Sequence, residues 1–244
     1  GVSEKRIREA TISAGILKSL LELGKNDCII FSAFGIREGC IFKNLSSEEQ
    51  KKDPLLLNCE KIASNTRRFT LTSNELENWA LPLFKDLDKH NRRLLKAACI
   101  LSDFAWVDHP SYRAEQAFLR ILRFPAIGLT HDDRVFLALT ILVRYGGNLS
   151  DLELEKWNEV ISRERLDIAL KIGSAITLGI TLSAGLDGLL QQIEMVKNKK
   201  IITIRYAPEV ILISREVITQ KIENLSKHFN SSVELQSLSS QSVN

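Results

Sequence analysis

The sequence predicts a mainly α-helical protein with a small amount of β structure. Apolar residues recur at spacings of three and four along the middle of the chain, as in residues 94–105. Two segments, 72–75 and 150–153, read as capping boxes, in which a Ser or Thr precedes a Glu by three positions. Runs rich in β-branched and aromatic residues occur near the two ends, at 27–34 and 199–206. Together these patterns indicate a helical domain flanked by smaller pieces of α+β structure.

The first segment of the chain, residues 1–44, is predicted to contain one helix and one strand. A single apolar stripe over residues 5–23 predicts the helix, and it comprises Ile7, Ala10, Ala14, Leu17 and Leu21. Gly24 is expected in a left-handed cap at the end of this helix. The run 27–34 is short and apolar, as in a buried strand. One helix and one strand cannot bury themselves, so this segment needs a sheet to join.

A polar stretch separates this segment from the rest. Residues 43–53 are rich in Lys, Asn, Ser, Glu and Gln and end at Asp53-Pro54, which is typical of a linker or an exposed turn. We therefore expect a domain boundary between residues 44 and 45. A helical domain over 45–190, a small α/β unit over 191–236 and a frayed tail over 237–244 should follow.

The helical domain is predicted element by element. The capping box at Thr72 starts a helix that should kink or stop near Pro82. Further helices are expected over 94–105, 111–123, 132–145 and 164–184, with the His109-Pro110 turn after the first and Gly146-Gly147 ending the third. The small unit should consist of a strand over 199–206, a helix over 218–229 and a strand over 232–236.

Composition excludes little but places the protein in a broad class. The formal net charge of +3 is too small for a dedicated nucleic-acid binder, so no nucleic-acid partner is expected. The longest uncharged run, 172–186, is shorter than the roughly 20 residues that a membrane-spanning helix needs, so we expect a buried helix there. None of the four cysteines forms a C-x-x-C pair, which is typical of a reduced, cytoplasmic protein.

The run F-S-A-F-G-I-R-E-G-C-I-F over 31–42 identifies a family. With the helix before it and the helix-rich chain after it, this run resembles the exopolyphosphatase / guanosine pentaphosphate phosphohydrolase family, at the point where its actin-like catalytic domain ends and its helical domain begins. The resemblance implies that residues 1–44 are the final helix and strand of the actin-like domain. It gives Arg37, Glu38 and Gly39 an architectural role: the charged pair joins strand end to helix start, and the glycine permits close backbone approach.

In that family the helical domain is similar to the HD phosphohydrolase fold, which binds metal through a His-Asp pair. Ser102-Asp103 stands where the pair would be, and Glu115 lies where some relatives carry another histidine. The resemblance therefore implies a lost metal site, since a hydroxyl is a poor substitute for imidazole. Asp103, Asp108, His109 and Glu115 could alternatively form an oxygen-rich cation site, or they could simply shape the helix pair and turn. We expect His90, His131 and His228 to be isolated and exposed.

The family's catalytic glycine-rich loops and glutamate match no residue of this chain, so no catalytic residue and no bound cofactor are predicted. Mg²⁺ is expected for the intact family enzyme, which releases terminal phosphate from inorganic polyphosphate or the γ-phosphate from guanosine pentaphosphate. Two basic clusters are the candidate polyphosphate contacts, namely Arg92, Arg93 and Lys96 before one helix and Arg113, Arg120 and Arg123 along the next. The alternative is a solvated face with ordinary ion pairs to Asp86, Asp88 and Glu115.

The function expected from these observations is that of the C-terminal region of an exopolyphosphatase-type enzyme. It would bind a polyanion, inorganic polyphosphate or guanosine pentaphosphate, and form homodimer contacts, without hydrolysing phosphoanhydrides alone. No membrane partner is expected. A free-standing polyphosphate- or alarmone-binding module is the alternative, and a residual HD phosphohydrolase is a third possibility.

Overall fold

The structure, a computed structural model, describes residues 3–27, 34–66, 68–148, 157, 159–207 and 215–237. The chain divides into two compact units, Gly1–Gln50 and Lys51–Asn244. This division falls six positions after the boundary that the sequence predicts between residues 44 and 45. The predicted α/β unit at 191–236 belongs to the same compact unit as the helices that precede it.

The first unit is helical in its described part. Helix α1 covers Glu4–Gly24, α2 covers Ile36–Lys43 and α3 covers Ser47–Lys51. Gly24 is the last residue of α1, and the left-handed position predicted for it is taken by Lys25, with φ 49°. Most of the predicted strand, residues 28–33, lies outside the described residues. The described apolar side chains of α1 are largely exposed, so this unit has not buried its predicted stripe.

The second unit contains the remaining helices. They are α4 (Pro54–Ser64), α5 (Ser73–Ala80), α6 (Lys89–Ile100), α7 (Arg113–Leu122), α8 (His131–Arg144), α9 (Arg163–Leu182) and α10 (Arg215–Phe229). Of these, α4, α5, α6, α8 and α9 follow a residue whose side chain caps the helix start. A 3₁₀ turn over Leu81–Leu83 follows α5, as Pro82 predicts. Gly146, with φ 79°, terminates α8 as predicted. The predicted capping box at 150–153 lies outside the described residues.

The segment at Asp53-Pro54 is a helix start, which corrects its interpretation as a linker. An Asp53 carboxylate oxygen accepts hydrogen bonds from the backbone amides of Leu55 and Leu56. Pro54 occupies the first turn of α4, where its missing N–H costs nothing. The polar composition before it is therefore that of a capped helix beginning, which sequence alone does not distinguish from a turn.

Helix α9 is the centre of the helical core. It packs against α5, α6, α8 and α10, and its uncharged stretch is mostly buried, as the sequence predicts. Gly173 lies so close to α8 that a Cβ there would be 2.6 Å from the Thr140 carbonyl oxygen. A Cβ at Gly179 would lie 2.8 Å from the side chain of Leu76 on α5. The two glycines therefore set how closely three helices approach.

The C-terminal sheet has one strand more than the sequence predicts. Strands β1 (Ile193–Asn198) and β2 (Ile201–Tyr206) pair antiparallel, and β3 (Ser232–Ser237) pairs parallel to β2 after α10. The missed strand, β1, mixes charged and apolar residues. It is joined to β2 by a two-residue turn in which Lys199 has φ 51°. Without a glycine or an asparagine in the turn, the hairpin has no strong sequence signal.

Two global expectations can be compared with the described part of the chain. None of its helices combines the length and the apolar character needed to cross a bilayer. Cys40 is exposed and Cys59 and Cys99 are buried, and all three are free thiols. Burial raises the pKa of the Cys59 thiol to about 12, which keeps it protonated at neutral pH.

The Asp53 cap should contribute measurably to stability, because the same carboxylate also pairs with Arg93. The Arg93 hydrogen bond is the main cause that lowers the pKa of Asp53. This stabilisation is complete above the ordinary Asp pKa of about 4 and is lost as pH falls through the lower folded-state value. We expect Asp53→Ala to reduce the free energy of unfolding by about 2 kcal/mol, and Asp53→Asn, which keeps a capping oxygen, by about 1 kcal/mol.

Urea unfolding at pH 7 and at pH 3 measures both effects. The exposed Asp86→Asn serves as control and should leave the free energy of unfolding unchanged. Equal stability of Asp53→Ala and the control at pH 7 would contradict the assignment.

Candidate functional site

The three predicted basic residues of α6 are held by carboxylates on neighbouring helices. Arg92 and Lys96 both flank Glu77 of α5, with N–O distances of 3.7 and 4.0 Å. Arg93 donates to the Asp53 carboxylate at 2.7 Å and to the Gly128 carbonyl oxygen at 2.9 Å. These partners differ from the Asp86 and Asp88 expected from sequence. Asp88 instead caps α6 by accepting a hydrogen bond from the Asn91 amide.

The predicted basic residues of α7 lie near the segment that precedes it. Arg113 donates two hydrogen bonds to the Asp108 carbonyl oxygen. Arg120 donates to the Asp108 carboxylate at 3.0 Å, and its guanidinium carbon lies 4.6 Å from the centre of the Phe104 ring. Arg123 is exposed. Among the described contacts, Arg113 and Arg120 bind Asp108 and not Glu115, which was expected from the sequence as their ion-pair partner.

Arg120 and Arg123 line a common groove, which we call the α7 groove. Its volume is about 330 Å³, and its lining includes Phe104, Gln116, Leu119, Arg120 and Arg123. Arg120 keeps 42% of its side chain exposed although it is ion-paired and stacked on Phe104. The structure thus brings two of the six predicted basic residues to one groove. The three on α6 are engaged with α4, α5 and the Gly128 loop.

The position of the HD-type His-Asp pair is occupied by an arginine-binding carboxylate. Asp103 is buried, and it accepts from the backbone amide of Arg68 at 3.0 Å and from its guanidinium at 3.1 Å. The Arg68 guanidinium lies over the Phe69 ring at 4.0 Å and near the Trp106 ring at 5.4 Å. Asp103 therefore joins the Arg68 loop to the end of α6. This role differs from the expected hydrogen bonding within the helix pair.

Arg144 also lies near Asp103 and Arg68, and it was not identified from the sequence. It lies at the end of α8 beside Tyr145, whose hydroxyl accepts a hydrogen bond from the Ala105 amide at 2.9 Å. Burial lowers the pKa of Arg144, and the nearby cations Arg68 and Arg113 lower it further, whereas Tyr145 and Asp103 oppose the shift. Nothing in the sequence marks a helix-terminal arginine as buried, since the last turn of a helix ordinarily exposes such residues.

The alternative cation site is not assembled. Among the described residues, no group of three or more His, Cys, Asp or Glu side chains is placed to hold a metal ion. Asp103 and Asp108 form ion pairs with arginines. The His109 ring accepts a hydrogen bond from the Ser111 amide at 3.3 Å, so His109 shapes the turn, which is the second of the two alternatives given by the sequence. The residues present do not fit an HD-type metal centre.

Two of the three remaining histidines are not isolated surface residues. His90 Nε2 lies 2.7 Å from the buried Asp133 carboxylate, which also pairs with Arg165 at 2.8 Å. His228 is half-buried, and burial is the main cause that lowers its pKa. His131 is exposed, in line with the prediction. Sequence spacing could not reveal the His90 contact, because its partner lies 43 positions away.

The predicted junction motif lies within α2. The Glu38 carboxylate accepts a hydrogen bond from the Gly35 amide at 2.7 Å, and this bond is the main cause that lowers the pKa of Glu38. Gly35 has extended backbone and precedes the helix, so Glu38 caps the helix start. A Cβ added at Gly39 would meet no described atom within 4 Å, so the expected close backbone approach is not seen there. Arg37 is exposed.

The capping box at Thr72 is only half formed. Thr72 Oγ1 accepts from the Glu75 amide at 3.2 Å, as predicted. The Glu75 carboxylate does not return to the cap; it accepts from the amides of Gly188 and Leu190, both at 2.8 Å. Glu75 thereby holds the loop between α9 and β1 against α5. A glutamate at this position serves a distant segment, which a local motif cannot indicate.

The fold and the site define a class of protein: a mainly helical domain with a small mixed sheet, which carries a largely apolar groove with two arginines on its lining. A family model described as "Exopolyphosphatase, C-terminal" matches residues 56–231, more than half of the chain. The chain therefore belongs to the exopolyphosphatase C-terminal domain family. No curated protein was found to match the sequence.

The contact between Asp103 and Arg68 predicts a stability effect. Asp103→Asn removes the negative charge that faces Arg68 and the half-buried Arg144, so we expect a loss of about 1–3 kcal/mol in the free energy of unfolding. The neighbouring buried Ser102→Ala is the matched control and should change this free energy by less than about 1 kcal/mol. Urea unfolding of the three proteins gives the comparison. Equal stability of the two variants would show that Asp103 has no such role.

Proposed function

We propose that this domain serves an exopolyphosphatase-type enzyme by binding the polyphosphate chain along the α7 groove. Arg120 carries the proposal, because it is fixed by Asp108 and by the Phe104 ring and yet remains partly exposed toward the groove. A fixed guanidinium loses little side-chain entropy when it binds phosphate oxygens. Arg123 supplies a second positive charge on the same groove, one helical turn away.

The basic residues of α6 support this function less directly. Arg92 and Lys96 share one carboxylate, Glu77, so together they leave one net positive charge on that face. Arg93 has two strong partners and stabilises the start of α4. We therefore assign Arg92 and Lys96 a secondary, long-range electrostatic role and give Arg93 a structural one. Such a role raises the rate of association with a polyanion more than its affinity.

Hydrolysis is proposed to lie with the actin-like domain of the family. The resemblance assigns the phosphate-cleaving loops to that domain, with Mg²⁺ as its cation, and no residue here matches them. Guanosine pentaphosphate remains the alternative substrate, since it presents the same phosphoanhydride chain. A homodimer and a cytoplasmic location complete the proposal; the free thiols of the described cysteines suit a reducing compartment.

Binding to long-chain polyphosphate should decrease with salt and should depend on the α7 groove. Each phosphate contact contributes roughly 0.7 to the slope of log affinity against log salt for a flexible single-stranded polyanion. We expect Arg120→Gln/Arg123→Gln to weaken binding by about tenfold or more and to reduce this slope by roughly 1 to 1.5. Fluorescence anisotropy with end-labelled polyphosphate measures both quantities.

The control is Arg8→Gln/Arg163→Gln, which removes the same charge from exposed positions on α1 and α9. It should shift the affinity by less than about threefold, through long-range electrostatics alone. If the control and the groove variant weaken binding equally, a diffuse basic surface replaces the groove as the binding site. The competing ligand, guanosine pentaphosphate, is tested by displacement.

The proposal also predicts that this chain does not hydrolyse polyphosphate. With long-chain polyphosphate and Mg²⁺ present, orthophosphate release should stay at the level of the protein-free reaction, because the attacking water has no residue here to position it. Release of orthophosphate at a rate that a single substitution within 1–244 abolishes would overturn this assignment.

A further inference from the structure

A polar cleft lies where α10 meets α9 and the end of α8. Its volume is about 490 Å³, which is within the range of small-molecule sites. We call it the α10 cleft. Its polar lining comprises Asp167, Ser174 and Thr177 of α9, Lys221, Asn224, Lys227 and His228 of α10, and Gly146, Gly147 and Asn148 after α8. None of these residues belongs to the α7 groove.

The charges of this cleft are predominantly positive and incompletely balanced. Among its described lining residues the one carboxylate is that of Asp167, which forms an ion pair with Lys171 one turn along α9. Within the part of the chain that the structure describes, no carboxylate lies within 4.0 Å of the amino groups of Lys221 and Lys227. The α6 arginines differ, because Arg92 and Arg93 form ion pairs with Glu77 and Asp53.

Further cations gather beside the cleft, around the end of α10. The amino groups of Lys171 and Lys197 lie 5.8 and 5.0 Å from the centre of the Phe229 ring. Burial lowers the pKa of Lys197, and Lys171 lowers it further, against the opposing effect of Asp86. Burial likewise lowers the pKa of His228, to which Lys227 and Lys171 add while Asp167 opposes. Burial and the neighbouring lysines therefore both disfavour the charged forms of Lys197 and His228.

We infer that the α10 cleft binds a small ligand carrying a diphosphate group, at a site separate from the α7 groove. Lys221, Lys227 and His228 would hold the phosphate oxygens, with donors that no described carboxylate occupies. Ser174 Oγ donates to the Lys171 carbonyl oxygen, and Thr177 Oγ1 donates to carbonyl oxygens of α8 and α9. The oxygen of each hydroxyl can therefore still accept a hydrogen bond from a ligand. The cleft thus offers cations at one part and acceptors at another.

The same diphosphate chemistry occurs in inorganic pyrophosphate and in nucleoside diphosphates. Pyrophosphate uses only the cations. A nucleoside diphosphate, whose hydroxyl and amino groups can donate, also uses Ser174 and Thr177. Calorimetric titration of the full chain with pyrophosphate and with ADP separates the two sources, because binding of ADP at least as tight as that of pyrophosphate identifies a nucleotide site. Tighter pyrophosphate binding identifies the inorganic ligand, and either result supports the site.

The decisive variant is Lys221→Gln/Lys227→Gln. It should weaken binding of the tighter probe by about tenfold for each lysine removed, while Lys61→Gln/Lys85→Gln, at exposed positions elsewhere, should retain the wild-type affinity within about threefold. The groove variant Arg120→Gln/Arg123→Gln is the second control and should also bind the probe normally. Because the lysines of both double variants lie at or near the surface, thermal unfolding should show that all of them fold.

His228 gives the site a pH dependence that a merely structural histidine would lack. The phosphate anion favours the imidazolium form, so binding raises the pKa of His228 and is favoured as pH falls. Because the probe's own phosphate also takes up a proton at about pH 6, the contribution of His228 is measured as the difference between wild type and His228→Gln. The advantage of wild type over His228→Gln should therefore increase as pH falls. The charged groups that act on His228 are Lys227, Asp167 and Lys171.

Three results would overturn the inference. The first is the absence of binding by either probe at low salt. The second is an equal loss of affinity in the Lys221/Lys227 variant and the Lys61/Lys85 control. The third is a loss in the Arg120/Arg123 variant alone, which would return the anion to the α7 groove. Failure of polyphosphate binding at the α7 groove leaves this inference intact, because the two sites share no residue.

Discussion

The close approach of α9 to its neighbours is the constraint on which the second unit depends. At Gly173 the α9 backbone comes so near the Thr140 carbonyl oxygen that any side chain would collide with it, and at Gly179 the same holds for Leu76 and Trp79. A larger residue at Gly173 would have to displace the α8 backbone and one at Gly179 the side chains of α5, at a cost of about 1–3 kcal/mol each. Since α10 also packs on α9, this helix positions the α10 cleft directly, whereas it reaches α7 through α8.

Around that core, carboxylates decide which cations remain available to a ligand. Asp53, Glu77 and Asp103 each bind arginines that bring separate helices or loops together. Asp108 differs, because it orients Arg120 at the edge of a groove without covering it. If such a cation leaves its carboxylate to bind a polyanion, the half-buried carboxylate stays behind without a partner, which costs free energy. These cations are therefore poorly available to a ligand. Charge count along the sequence therefore overestimates the binding surface.

The sequence predicts α1 and α5 to α10 because periodicity and capping residues act locally, whereas α3 and α4 were not predicted. Pro82 and Gly146 end their helices where expected. Failures occur where a residue serves a distant partner: Glu75 leaves its capping box for Gly188, and His90 reaches Asp133 across two helices. The strand β1 was missed because its hairpin turn carries lysines rather than glycine. The identity of a basic cluster was predictable, but its ion-pair partners depend on how helices pack, which no local pattern contains.

The two proposed anion-binding sites, the α7 groove and the α10 cleft, differ in how their cations are stabilised before a ligand binds. Arg120 is already compensated by Asp108 and Phe104, so an anion gains orientation there but little relief of repulsion. Beside the α10 cleft, burial lowers the pKa of Lys197 and of His228, and the charge of Lys171 lowers both further, so their charged forms are disfavoured in the folded state. An anion bound there offsets part of this penalty and binds only the folded chain. By linkage it must then stabilise the packing of α10 on α9, so occupancy of this cleft and stability of the C-terminal sheet are coupled.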